Sequence, residues 1–283
     1  MDFSTSRSQK GKPSKRPTFI QTLQELLDSA VDSDVTFKVK EEEFRAHKLI
    51  LGMRSPRMKE MLKGLSSDDT PPSISDVNPT DFKFFLDFLY TDDCYISAAN
   101  VEELLKLANT WEVPSLVDKC MAFLENQIDE TNILHYAAIG FSYRDEHNLY
   151  QKCLSLLPDL LVDISFMINE NNKWIPMSYE LLLDIVKNCQ CIPELEETLF
   201  YKIIDWAKKE CQCRNLDINA ENMKAVLDEI QIYINYLLLR PRTLATVVLE
   251  YQLLSFEDLL DCFCEIAIEE EKNTPKSKLV SAC

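Results

Sequence analysis

The stretch Asp34–Gly64 reads DVTFKVKEEEFRAHKLILGMRSPRMKEMLKG. It opens in strict alternation, with Val35, Phe37 and Val39 on one side of a strand and Thr36, Lys38 and Lys40 on the other. That is the period of a strand with one buried face. Three acids, Glu41 to Glu43, make a turn into a second short strand around Phe44 and Ala46. An amphipathic helix carrying Leu49, Ile50 and Met53 follows. A Ser55-Pro56 break then starts another helix with Met58, Met61 and Leu62. A hairpin running directly into two short helices predicts an α+β unit.

Working outward, residues 18–31 place Phe19, Leu23, Leu26, Leu27 and Ala30 along one helical stripe. Downstream, Ser73 to Val77 reads as a short strand. Asn78-Pro79 supplies a cap and a first helical residue, with Asp81 near the positive end of a helix that buries Phe82, Phe85, Leu86 and Leu89. Asn100 and Glu103 have the spacing of a capping box ahead of Leu104, Leu105, Ala108 and Trp111. Val113-Pro114 and Leu116 to Leu124 complete this part.

The residues that carry a family likeness are Asp34-Val35-Thr36-Phe37, Ala46-His47-Lys48, Arg54-Ser55-Pro56 and Phe88-Leu89-Tyr90-Thr91, with Cys120 behind them. In this order they make residues 18–128 closely resemble the BTB (POZ) domain. Everything further on reads as helix pairs: 131–143, 146–157, Ser178 to Lys187, and Glu194 to Lys209 with Leu195, Leu199, Ile203 and Trp206 at helical spacing. Glu196-Glu197-Thr198-Leu199-Phe200 through Asp205-Trp206-Ala207-Lys208 resembles the hallmark helix of a BACK domain. Ile234 to Arg242 and the helix from Phe256 to Ile268 are similar to its closing part. The resemblance implies a small sheet with surrounding helices followed by an all-α helical-hairpin domain. The expected organisation is a basic tail at 1–17, BTB at 18–128, BACK at 129–268 and a flexible tail at 269–283, without a kelch propeller.

Composition narrows the chemistry. The chain has 283 residues, 46% of them hydrophobic, enough for two ordinary cores. Four glycines leave no way to write a dinucleotide-binding or phosphate-cradling loop. Residues 1–17 carry five bases (Arg7, Lys10, Lys12, Lys15, Arg16) against Asp2, leaving −21 for the rest of a chain whose total is −17. A body that acidic repels phosphate backbones, so no nucleic-acid partner is expected of it. The basic tail is either an import signal or a solvated leader. No secretory signal and no apolar run of membrane-spanning length is visible, and the ten cysteines read as reduced thiols. The expected location is cytoplasmic, nuclear or both, with no membrane partner.

Neither cofactor nor catalysis is expected. Cys189/Cys191, Cys211/Cys213 and Cys262/Cys264 are spaced one residue closer than structural zinc pairs. Cys262 and Cys264 lie on a predicted helix, where a two-residue step aims them about 200° apart. The other two pairs follow helix ends, where a shared site stays open. The cysteines of all these pairs read as small buried thiols. Asp34, His47 and Ser55 are the residue types of a hydrolase triad, but no nucleophile elbow surrounds Ser55. His135 and His147 read as packing or surface residues, and the run Glu269 to Glu271 as a solvated helix end.

The resemblance implies partners instead. In BTB domains a helix placed like 18–31 packs across a two-fold axis, so Phe19, Leu23, Leu26 and Leu27 are expected at a homodimer interface. Asp34 and Lys48 match a charged pocket beside it, and His47 a buried structural position. Many BTB proteins bind cullin-3 through the loop after Leu62, using a hydrophobic-x-Glu motif. Here the motif reads Leu65-Ser66-Ser67, with Ser in place of Glu and Asp68 next. Leu65, Asp68 and Tyr90 are the expected cullin-facing residues. The implied function is a homodimeric, non-enzymatic substrate adaptor of a cullin-3 ubiquitin ligase with an unidentified protein target. The alternative is a dimeric scaffold or transcriptional cofactor that binds no cullin, which the missing Glu favours. A metal-dependent enzyme rests on the cysteines alone.

Overall fold

The computed structural model describes residues 17–64, 72–74, 76–160, 167–170, 173–188 and 195–273. The chain divides into two compact units, Met1–Phe123 and Leu124–Cys283.

The first unit begins with α1 (Phe19–Ser29). A reciprocal capping box starts it: Thr18 Oγ1 accepts from the Gln21 N–H, and Gln21 Oε1 accepts from the Thr18 N–H. Strands β1 (Val35–Val39) and β2 (Glu42–Ala46) form the antiparallel hairpin that the alternation predicts. Val35, Phe37 and Val39 are buried. Phe37 and Phe44, directly opposite each other in register, both set their rings edge-on to Phe82 at about 5.5 Å.

Helices α2 (Lys48–Arg54) and α3 (Pro56–Leu62) are separated at Ser55, whose extended backbone breaks the helical path. Ser55 Oγ accepts from the Met58 N–H at 3.0 Å and donates to the Trp111 carbonyl, tying the start of α3 to a residue 56 positions further on. The third strand, β3 (Ser73–Ile74), is shorter than the expected 73–77 and pairs parallel to β1, giving the order β2-β1-β3. Asn78 caps α4 (Pro79–Thr91) through the Thr80 N–H, with Pro79 as first helical residue. This helix buries Phe82, Phe85, Leu86, Phe88 and Leu89 and provides most of the aromatic core.

Helices α5 (Val101–Thr110) and α6 (Pro114–Glu125) follow. Asn100 does not make the expected capping box. Its side chain accepts from the Ser97 backbone N–H and hydroxyl and donates to the Tyr95 carbonyl. It therefore organises the loop before the helix instead of the helix start.

The second unit is helical, with one departure from the sequence expectation. Helices α7 (Ile133–Ser142) and α8 (Leu149–Leu160) pack so closely at Gly140 that a Cβ there would stand 2.7 Å from the Tyr150 nitrogen. Between this pair and the next helix lies a two-stranded antiparallel hairpin, β4 (Met167–Glu170) and β5 (Lys173–Pro176). Helix α9 (Tyr179–Asn188) starts from a Ser178 cap onto the Leu181 N–H. Helix α10 (Glu196–Cys213) buries Trp206, whose Nε1–H donates to the Met177 carbonyl at 2.9 Å. After α11 (Ala220–Leu227), short turns of helix that include α12 (Pro241–Thr243) lead to α13 (Phe256–Asn273). No helix of the described residues is long and apolar enough to cross a membrane.

Candidate functional site

The stripe on α1 is divided between two environments. Leu27 is buried in its own unit, beside a cavity of about 380 Å³ that Phe44, Arg45, Lys83 and Leu86 also line. Gln24 Nε2 donates to Asp87 Oδ1 at 2.9 Å, and Lys83 lies between Asp28 (3.5 Å) and Asp87 (3.3 Å). These contacts hold α1 against α4 of the same chain. The expectation of Leu27 as an interface residue therefore fails on geometry: its side chain covers the protomer's own core. Leu23 and Leu26 are half-buried, and Phe19 stands 78% exposed.

The apolar side of α2 that the sequence marks with Leu49, Ile50 and Met53 is only partly covered. Leu49 (74% exposed) and Met53 (78%) lie one helical turn apart. Leu51, two residues on from Leu49, is fully buried. The four-residue spacing of Leu49 and Met53 marks a helix face but not whether that face is covered within the chain.

Asp34 and His47 tie these elements together. Asp34 is exposed, and its Oδ1 accepts from the Lys48 backbone N–H at 2.8 Å. Lys48 is the first residue of α2, and the preceding His47 makes no side-chain cap, so the carboxylate satisfies one of the helix's free amides. His47 is half-buried. Its Nε2 lies 2.7 Å from the Val31 carbonyl, which can only accept, so Nε2 carries the proton. Nδ1 is then the acceptor for the Tyr90 hydroxyl at 2.7 Å, and that oxygen in turn accepts from the His47 backbone N–H at 2.9 Å. The end of α1, the start of α2 and the end of α4 are thereby locked.

This geometry corrects the reading of Tyr90 as a partner-facing residue. It is only 4% exposed with its hydroxyl turned inward, and burial pushes the phenol up to about 12. Leu65, Ser67 and Asp68 lie outside the described residues.

The triad types are each engaged elsewhere: Asp34 with the α2 amide, His47 with Val31 and Tyr90, Ser55 with Trp111. Among the cysteines, Cys211 is buried, Cys262 half-buried, and Cys213 and Cys264 exposed, while Cys189 and Cys191 fall outside the described residues. Among the described residues no group of three or more His, Cys, Asp or Glu side chains is placed to hold a metal ion.

Comparison with known proteins agrees with this architecture. The BTB/POZ domain model matches residues 23–128. Kelch-like protein 40 of Xenopus tropicalis is 25% identical over 197 residues, covering 68% of this chain and 31% of the relative. Kelch-like protein 28 of Homo sapiens is 27% identical over 186 residues, covering 64% and 31%. The matched stretch thus spans about a third of the length of these relatives. A solved structure, the BTB domain of zebrafish PATZ1, aligns with 38% of this chain and 89% of its own at 23% identity, with a TM-score of 0.35. The 197 matched residues exceed the 128 that end the BTB match, so the likeness runs on into the helical unit. The chain is a BTB/POZ protein-interaction domain followed by a helical region, related at a distance to the Kelch-like proteins.

Proposed function

We propose that the protein is a homodimer acting as a substrate adaptor of a cullin-3 ubiquitin ligase, with BTB over 18–128 and BACK over 129–268. The observation that carries the reading is the BTB match at 23–128 with Kelch-like similarity continuing behind it. The exposed apolar residues Phe19, Leu49 and Met53, on helices joined through His47, support pairing of two copies. Hydrophobic surface of this kind on an otherwise acidic chain is what a two-fold interface removes from water. Phe19, Leu23 and Leu26 would supply its α1 side, with Asp34 and Lys48 at its edge. Leu65, and Asp68 in place of the missing Glu, would meet the cullin. The mechanism is geometric. Each BTB domain docks one cullin, and a target held on the second unit is brought near the ubiquitin carrier. Pairing raises the effective concentration of the second docking event without new contacts.

A second reading, a dimeric scaffold or transcriptional cofactor without cullin binding, is favoured by Ser67 in the motif's Glu position and by the inward Tyr90. Light scattering of the protein mixed with the cullin-3 N-terminal domain separates the two. A mass of two chains plus two cullin domains supports the adaptor. The mass of the protein's dimer alone, at high micromolar concentration, supports the scaffold.

A further inference from the structure

Helix α13 is attached to its unit by one narrow face: Leu259 is buried, and Cys262, Phe263 and Ile266 are half-buried. Its outer surface is divided into two parallel rows. Phe256, Leu260, Cys264 and Ile268 follow one another at four-residue steps and are all exposed, at 77%, 53% and 52% for Phe256, Leu260 and Ile268. One residue further on, Glu257, Asp261, Glu265 and Glu269 make the adjoining row, also exposed throughout. Rows at four-residue steps are the ridges that interlock when two α-helices pack. The apolar row runs about 18 Å along the axis, enough to seat three turns of a partner helix. At its far end Ile268 lines a cavity of about 250 Å³ together with Leu237, Ile266, Glu265, Glu269 and Lys272, the helix's single base.

Charge decides what fits there. The helix holds seven acids against Lys272. The acidic field reaches its half-buried side, where burial and then Glu265, Asp258 and Asp261 push the Cys262 thiol upward. A second copy of α13 would bring a like acidic row against this one, which opposes self-pairing. We propose that the outer face of α13 docks an amphipathic helix of a protein partner, with an apolar ridge against Phe256, Leu260 and Ile268 and a lysine- or arginine-rich row against the acids. Phe256 and Leu260 anchor the partner, Ile268 and Leu237 receive its far end, and the acids select sign and orientation. The inference is independent of the adaptor reading, since the face belongs to the helical unit alone and its test contains no cullin.

The probe is a fluorescent synthetic peptide helix with leucines along one face and lysines beside them, titrated into the full chain and followed by anisotropy. Its control replaces every lysine by glutamate. The lysine peptide is expected to bind and the glutamate peptide not to. Leu260→Ser and Phe256→Ser, which change no charge and are exposed enough to leave the fold intact by circular dichroism, are expected to weaken binding about tenfold or more. Hydrogen exchange is expected to slow across 256–269 on binding. Equal binding by wild type and both serine variants would reduce the interaction to bulk charge attraction and overturn the proposal. So would binding only after residues 274–283 are removed, which would assign the face to the chain's own Lys276-Ser-Lys-Leu-Val280 segment. An α13-mediated dimer by light scattering would overturn it in favour of a second copy.

Discussion

Asp34 Oδ1 accepts from the backbone N–H of Lys48 at 2.8 Å, so the residue that precedes β1 caps a helix fourteen positions later. The bond fastens the open end of the hairpin to α2, the helix that presents Leu49 and Met53. Removing such a cap costs about 1 kcal/mol, within a range of roughly 0.5–2. Asp34→Ala is expected to lower stability by that amount in urea unfolding, and Asp34→Asn by less, because its amide oxygen still accepts. An unchanged midpoint for Asp34→Ala would show that the bond contributes nothing.

Tyr90→Phe removes the hydroxyl that bonds both His47 Nδ1 and the His47 backbone N–H. Leaving part-buried polar groups unpaired costs about 1–3 kcal/mol. The expected result is a lower melting temperature with unchanged cullin affinity per folded molecule. A stable variant with weakened cullin binding would instead put the hydroxyl at the partner surface.

Glu196 and Glu197 are neighbours that titrate in opposite directions. Burial raises Glu196 above its usual 4.5, only partly offset by the Asn235 N–H. Burial also acts to raise Glu197, but hydrogen bonds from Thr243 and Arg240 outweigh it and hold the carboxyl below 4.5. A raised carboxyl contributes stability that is present below the unfolded value and lost as pH rises through the folded one. A depressed carboxyl contributes stability that is present above the unfolded value and lost as pH falls through the folded one. Glu197→Gln is therefore expected to destabilise most at neutral pH and to flatten the acid limb of a stability–pH curve. Glu196→Gln is expected to cost little at neutral pH and to remove the gain on acidification. Parallel curves for the two variants would contradict this assignment.

Much of this arrangement is legible in the chain. The alternation from Val35 to Val39, the Asn78-Pro79 start and the Ser178 cap each depend on a few neighbouring residues, and each is found where local chemistry puts it. Leu23 and Leu27 occupy the same hydrophobic stripe, yet only Leu27 is buried against its own chain. Periodicity defines a helix face but not which of two neighbours covers it. Asn100 offers the same oxygen to a helix start or to a loop, and the loop's donors at Ser97 prevail. The β4–β5 hairpin went unread although Asn171-Asn172 between Ile168 and Ile175 is a turn signal, because a four-residue strand competes poorly with helical patterning on either side.

The proposed dimer interface is testable without harming the single chain. Phe19→Asp combined with Leu49→Asp alters side chains that are mostly in solvent within one chain. The double variant is expected to be a folded monomer by sedimentation equilibrium at tens of micromolar, where the wild type is expected to be a dimer. Leu27→Asp, by contrast, is expected to destabilise the protomer by several kcal/mol, because it places a charge in the core. A wild type that is already monomeric would remove the basis for pairing.

The most direct measurement is calorimetric titration of the cullin-3 N-terminal domain into wild type and Ser67→Glu. Wild type is expected to bind one cullin domain per chain, and Ser67→Glu to bind about tenfold or more tightly, since a hydrogen bond to a charged group contributes roughly 1.5–3 kcal/mol. Absence of binding by both proteins at high micromolar concentration would contradict the adaptor account and leave the dimeric scaffold in its place.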